Sequence, residues 1–376
     1  MAAPAACHRN IQSFGTLAEA VAGSSDGDIV EVRGDGPLVV DHTEFKHSLT
    51  VRAGAGFCPV LTAAFKDKPP SGNLFVSYAP LRLEGLEVRC NSEAYRILDA
   101  RGPLWVANCR FQFATGGNIC IESYASCVVK NCEMATRGGA ALAFRCDSEA
   151  TYNVTNNVLV GQINLGEFDL SRGATLQLAG NTIVSPYCSP FLHGMFEQRA
   201  RPSDPLERRV RVFATENVVS SAGGAYGFVQ EEAWPHLSPN DAEAWVRRRL
   251  EWREEGNCYQ VNLRQLIQIR SEGVVHTTSH RSLADWDRFW GSKETRSPEG
   301  VVRFRGGDLN ARVVADAGKL ALGEFRLRPD SAGYRAGPDG KDLGADIDLV
   351  GPGAAYERWK RTPDYQEWLK EAGQMK

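Results

Sequence analysis

An asparagine recurs along this chain at intervals of 23 to 25 residues, each time at the end of a short, apolar-rich segment. Leu104-Trp105-Val106-Ala107-Asn108-Cys109-Arg110-Phe111 aligns with Cys127-Val128-Val129-Lys130-Asn131-Cys132-Glu133-Met134. Tyr152-Asn153-Val154-Thr155-Asn156-Asn157-Val158-Leu159 and Leu176-Gln177-Leu178-Ala179-Gly180-Asn181-Thr182-Ile183-Val184 extend the series. Asn108, Asn131, Asn156 and Asn181 thus hold corresponding places, with Gly85 one unit earlier and Asn217 and Asn257 continuing after insertions. A fixed period of this size marks a repeat architecture.

Within each unit apolar and polar residues alternate as in a strand. Asparagine and glycine tolerate the left-handed backbone that a tight turn demands. A single unit has too few apolar residues to bury its own face, so stability must come from stacking on neighbours. An α/β chain with one strand per unit would need crossover helices. The intervening stretches are too short and too rich in Gly, Ser and Cys for those. The expected fold is all-β, a right-handed parallel β-helix (solenoid) rising about 4.8 Å per coil, with the four asparagines stacked as a ladder of side-chain amides.

Such a stack needs covered ends. Residues 16–21 predict a short cap helix with Thr16 as N-cap, followed by the alternating strand Asp28–Val32. Between 238 and 255, Val246 and Leu250 lie four apart and Trp245 and Trp252 seven apart, which predicts a helical insertion leaning on the solenoid wall. Residues 354–360 and 363–370 predict two C-terminal capping helices, Thr362 capping the second and Pro363 in its first turn. Tyr356, Trp359, Tyr365 and Trp368 are expected to cover the terminal coil. The expected division is a β-helix domain over 1–350 and a helical cap or tail over 351–376.

Composition narrows the class. A net charge of −3 gives no field to recruit nucleic acid or an anionic membrane, and acids flank the run Arg247-Arg248-Arg249, as on a solvated helix face. No apolar run approaches the roughly 18 residues of a membrane span. Residues 1–10 lack a basic and an apolar region, so no secretory signal and a cytoplasmic location are expected. The ten cysteines form no Cys-x-x-Cys pair and are expected to be buried free thiols. A monomer is expected.

The entry segments, Thr16-Leu17-Ala18-Glu19-Ala20-Val21, Asp26-Gly27-Asp28-Ile29-Val30-Glu31-Val32-Arg33-Gly34 and Leu49-Thr50-Val51-Arg52-Ala53-Gly54, resemble the first coils of the pectin-lyase-like superfamily of right-handed parallel β-helices. The exit region is similar too, from Asn257 and Tyr259 through Ser282-Leu283-Ala284-Asp285-Trp286 and Phe325-Arg326-Leu327 to Gly337-Pro338-Asp339-Gly340-Lys341-Asp342-Leu343-Gly344-Ala345-Asp346. The strings Glu31-Val32-Arg33-Gly34-Asp35-Gly36-Pro37 and Gly351-Pro352-Gly353-Ala354-Ala355-Tyr356-Glu357-Arg358-Trp359-Lys360 look like β-helix modules that follow kinase domains in some bacterial serine/threonine kinases. No kinase motif of its own accompanies them.

The resemblance implies outward-facing charged residues along the stack. Lyases of that superfamily hold Ca²⁺ with carboxylates and abstract a proton with a basic residue, and hydrolases use paired carboxylates. The superfamily's glycosidase and pectate-lyase motifs are absent. Aligning the strand after each asparagine places Asp99 and Arg101, Glu122, Arg145 and Asp147, Glu167 and Asp169, and Glu197 across successive coils, with His193 four residues before Glu197. Arg145, Asp147, Glu167, Asp169, His193 and Glu197 are the candidate catalytic residues. Asp147, Glu167 and Asp169 are the candidate Ca²⁺ ligands; no other cofactor is indicated. A one-residue slip would exchange inward and outward positions.

The function expected is that of a non-catalytic binding or interaction module, with a polysaccharide or protein as partner, carbohydrate-binding or kinase-associated. A polysaccharide lyase or glycoside hydrolase acting on an acidic polysaccharide is the alternative, and a structural spacer the third.

Overall fold

The computed structural model describes residues 11–63, 65, 72–90, 94–113, 119–145, 149–167, 173–186, 190–195, 209–221, 229–233, 239–261, 267–271, 274–277, 282–291, 297–298 and 300–373. The chain is strand-rich, and its strands pair in parallel with those one repeat away; Ile267–Ser271 and Val274–Thr277 make the one antiparallel pair among the described residues.

A first sheet runs in chain order through Asp28–Val32, Leu49–Ala53, Leu81–Glu84, Leu104–Ala107, Cys127–Lys130, Thr151–Thr155, Thr175–Ala179, Val210–Thr215 and Leu250–Glu255. A second series begins with Leu38–Val39, Val60–Ala63, Glu87–Cys90 and Arg110–Phe113. A third begins with Thr43–Phe45, Asn73–Ser77, Arg96–Ala100 and Ile119–Ser123. The long strands Glu133–Arg145 and Val158–Glu167 belong to both and join them. Thr182–Ser185, Val218–Ser221 and Cys258–Val261 continue the second series, Phe191–Met195, Val229–Ala233 and Ile267–Ser271 the third.

Register explains the core. Val30, Val51, Leu83, Val106, Val129, Val154, Leu178 and Ala214 lie opposite one another in the first sheet, and beyond Val30 all are buried. A fully buried Val or Leu contributes about 1.5–3 kcal/mol, so each strand gains its stability from the two beside it. Glu254 ends that column, accepting bonds from the indoles of Trp252 at 2.8 Å and Trp286 at 2.7 Å.

The turn after the first sheet holds two adjacent columns. Asn108, Asn131 and Asn156 adopt left-handed backbone (φ 50, 55 and 57°), and Gly85 (φ 70°) and Gly180 (φ 59°) occupy the same place. Thr155 pairs with Ala179, so Gly180, not Asn181, stacks on Asn156. The expected ladder is therefore corrected by one residue: Asn181 belongs to the inner column of Cys109, Cys132, Asn157, Asn217 and Asn257. There Asn157 Nδ2 donates to Asn181 Oδ1 at 3.0 Å, Asn181 to Asn217 at 2.9 Å and Asn217 to Asn257 at 2.9 Å. All four are buried, and their amides also bond backbone that the turn leaves unpaired.

The helix Leu17–Ala22 has the expected N-cap. Thr16 Oγ1 accepts from Glu19 N at 3.2 Å, and Glu19 Oε2 accepts from Thr16 N at 3.1 Å, a reciprocal capping box. Helix Pro239–Arg249 ends earlier than the predicted insertion; residues 250–255 are the last strand of the first sheet. This helix and Leu283–Trp290 both contact that last strand, where Trp252, Trp286 and Trp290 pack edge to face with centroids 5.5 and 5.6 Å apart.

The C-terminal aromatics lie elsewhere than expected. Past residue 343 the chain runs beside the asparagine turns in reverse order. Gly344 N donates to Glu216 O at 2.8 Å, Asp346 N to Asn156 Oδ1 at 2.6 Å, and Asn108 Nδ2 to Leu349 O at 2.7 Å. Helices Ala354–Trp359 and Pro363–Gly373 then settle on the outer face of the first sheet. There Tyr356 Oη and Trp368 Nε1 each donate to buried Glu84 at 2.7 Å. The four aromatics thus cover the flank of the sheet, not its terminal strand, because Glu84 on that flank requires donors. Thr362 Oγ1 donates to Trp359 O at 2.7 Å, bonding the preceding helix.

Residues 302–350 form a second apolar layer on the outer face of the second series. That face changes from Glu87, Arg110 and Glu133 to Val158, Thr182, Val218 and Cys258 along one register column. Val302, Phe304, Leu309, Val313, Phe325 and Leu343 pack on the apolar part. The seven described cysteines are free thiols, six of them buried, and burial pushes Cys132 up to about 12.

Candidate binding face

The outer face of the third series carries the charged residues that the alignment singled out. Asp99 and Glu122 lie directly opposite one another in register, with Val76 and Glu44 before them. Both carboxylates are buried, at 2% and 0% exposure, which only close partners make affordable. Asn73 Nδ2 donates to Asp99 Oδ2 at 3.1 Å, and Arg101 Nη2 approaches the same oxygen at 3.4 Å. Glu122 is bracketed by Arg96 and Arg145. Arg96 Nη1 also donates to Asn73 Oδ1 at 3.2 Å, tying the two carboxylates into one network.

Each arginine lies over a tyrosine ring. Arg96 is 4.5 Å from the centroid of Tyr95, Arg101 5.1 Å from Tyr78 and Arg145 5.7 Å from Tyr124. Tyr78, Arg101 and Tyr124 each follow a strand of the series, and their backbone N–H groups continue its pairing (to Phe45 O, Ser77 O and Ala100 O). Arg145 follows Phe144, the partner of Ser123. The result is a column alternating Tyr78, Arg101, Tyr124 and Arg145, one residue per strand. The rings stay accessible, at 45% for Tyr78, 48% for Tyr95 and 37% for Tyr124. Burial, then the neighbouring Glu122, raises the Tyr124 phenol above its ordinary value.

Of the candidate residues, Arg145 joins this network. Glu122 continues in register to Ala143 and Asn164, so the acidic row does not extend to Arg145, which lies two residues further and opposite Gly166. His193 is opposite Leu165, and Glu167 opposite Met195. The side chains of Glu167 and His193, and all of Asp147, Asp169 and Glu197, lie outside the described residues. The proposed Ca²⁺ ligands fall in that group. Among the described residues no three His, Cys, Asp or Glu side chains gather as a metal would require.

Tyr78, Tyr95, Tyr124, Arg96 and Asn73 were not singled out in the sequence. Their signal was present: Tyr78, Arg101 and Tyr124 are 23 residues apart, as are Asn73 and Arg96, matching the asparagine period.

No protein-family model, curated protein or solved structure matches the chain. Among the described residues no helix is long and apolar enough to cross a membrane.

Proposed function

We propose that the chain is a right-handed parallel β-helix acting as a non-catalytic carbohydrate-binding module. Three series of strands, each pairing in parallel with the next repeat, support the winding, and parallel crossovers are right-handed as a rule. The resemblance to pectin-lyase-like domains and to kinase-appended modules accords with this fold, and fold alone names no ligand.

The column Tyr78, Arg101, Tyr124 and Arg145 carries the binding reading. Its accessible rings suit the apolar faces of sugar rings, and its guanidiniums suit carboxylates. Strand spacing of about 4.8 Å is comparable to the rise of one sugar in an extended glycan. Arg96, Arg101 and Arg145 line this face beside Asp99 and Glu122, and guanidiniums in such a row suit the carboxylates of an acidic oligosaccharide. For a lyase or hydrolase, a general acid or base must reach the substrate. Glu122 is buried under two ion pairs, which favours binding over turnover.

Calorimetry of the intact chain with a uronic-acid oligosaccharide tests this. Saturable binding, weakened several-fold by Tyr124→Ala and by Arg101→Gln, is expected, with no unsaturated product absorbance. Product formation would return the reading to the enzyme, and no saturable ligand would return it to a structural spacer.

A further inference from the structure

The layer formed by residues 302–350 carries a second charged surface. Phe304 and Leu327 form an isolated antiparallel bridge, and both side chains are buried in the apolar layer. The residues on either side of them are all arginine: Arg303 and Arg305, Arg326 and Arg328. Arg305 N donates to Arg326 O and Arg328 N to Arg303 O, each at 2.8 Å, so the backbone joins the arginines in two pairs. Arg303, Arg305 and Arg328 are exposed and Arg326 is half-buried.

Like charges set opposite one another across a bridge are destabilising. The chain offsets that cost only in part. Asp330 Oδ2 accepts from Arg303 Nη1 at 2.8 Å, and its Oδ1 pairs with Arg328 Nε at 3.0 Å. Asp348 Oδ1 pairs with Arg326 Nη2 at 2.8 Å and with Arg358 Nη1 at 3.5 Å, which brings in a further arginine. Glu324, two residues before Arg326, is engaged by Arg312 and by Ala321 N. Each of the two aspartates is thus shared by two arginines. Arg305 makes no ion pair among the described residues.

We propose that this arginine cluster is a docking surface for an acidic segment of a partner protein, an extended peptide carrying several carboxylates. Asp330 shows the bonding such a peptide would repeat: Arg328 gives it Nε at 3.0 Å and Nη2 at 3.1 Å, the fork that guanidinium offers a carboxylate. Both aspartates are solvent-exposed, so the pairs they make are weak and leave further N–H donors for a partner. Small ligands are held in concave sites, whereas exposed arginines on an outer layer suit an extended chain. A net charge of −3 gives no long-range attraction for nucleic acid, which favours a short acidic peptide recognised locally.

Fluorescence anisotropy of a labelled peptide with glutamate at alternate positions, titrated with the intact chain at low salt, tests this. Saturable binding is expected, and the same peptide with glutamine for glutamate should not bind. Raising the salt from about 50 to about 300 mM should weaken binding by about tenfold, as for exposed charges. Arg305→Gln should weaken it about fivefold, and Arg305→Gln combined with Arg303→Gln further. Arg305 holds no partner within the chain, so its loss should leave the melting temperature unchanged or higher. Tyr124→Ala, on the other charged face, should bind the peptide as the parent does. Absence of saturable anisotropy, or unaltered affinity in a folded Arg305→Gln chain, would overturn the proposal. Inorganic polyphosphate of equal charge binding more tightly than the peptide would overturn the carboxylate partner in favour of a phosphate polymer.

Discussion

Tyr356 donates its phenol proton to Glu84 at 2.7 Å, across 272 residues of sequence. The carboxylate is 1% exposed and takes a second bond from Trp368 Nε1, so both of its hydrogen bonds come from the tail, beside an ion pair with Arg82 at 3.7 Å. Burial and the nearby carboxylate push the Tyr356 phenol far above its ordinary value. Tyr356→Phe keeps the ring and removes one donor from a buried acceptor. It should lower unfolding free energy by about 1–3 kcal/mol, measured by urea titration. Unchanged stability would mean that the tail does not rest on Glu84.

Gly85 and Gly180 occupy equivalent left-handed turn positions, yet asparagine should be tolerated at only one. A Cβ on Gly85 would lie 2.5 Å from the Tyr356 ring, whereas on Gly180 the nearest atom is Gly344 O at 3.6 Å. Gly85→Asn should destabilise by about 1–3 kcal/mol through overpacking. Gly180→Asn should lie within about 0.5 kcal/mol of the parent, as at an unstrained surface site. Thermal melts of the two variants side by side decide it.

Asn217 is the third of the four asparagines in the buried amide ladder. Its Oδ1 accepts from both Asn181 N and Asn181 Nδ2 at 2.9 Å, and its Nδ2 donates to Leu178 O at 3.0 Å and Asn257 Oδ1 at 2.9 Å. Asn217→Ala strands several groups with no water to replace the lost partner. At about 1–3 kcal/mol per stranded group, the loss should exceed that of Tyr356→Phe in the same urea titration.

Burial raises the carboxyl of Glu133 above its ordinary value, against the opposing pull of Arg110, with which it pairs. Between the ordinary carboxylate value and the raised one, the folded chain holds this proton while the unfolded chain has released it. Glu133 therefore makes stability fall as pH rises through that window, and contributes no slope below it. Glu133→Gln should flatten this part of the stability–pH curve, measured by denaturant titration from pH 4 upward. An unaltered slope would place the proton elsewhere.

The repeat was legible because Asn108, Asn131 and Asn156 recur in a context that alternates like a strand, and their left-handed backbone explains why asparagine or glycine must stand there. Asn181 was misplaced by one because Asn156-Asn157 and Gly180-Asn181 both satisfy the pattern, and the period itself varies by a residue or two. Glu84 gave no warning of its partners. In Leu81-Arg82-Leu83-Glu84 the charged residues read as the solvated side of a strand, and aromatic tail residues would suit any flat apolar surface. The face of Asp99 and Glu122 was half legible. Their mutual register followed the period, but irregularities between Ala135 and Leu142 in the long strand moved Arg145 two positions beyond the acidic row.

The reversed path of the tail also bears on how the molecule is made. A chain leaving the ribosome can add each strand to the one before it, so the sheets grow as synthesis proceeds. Glu84 cannot be completed that way, since its two donors are translated 272 and 284 residues later. The nascent protein therefore carries an unfinished flank until those two helices emerge. A strand made early is sealed by residues made nearly three hundred positions later.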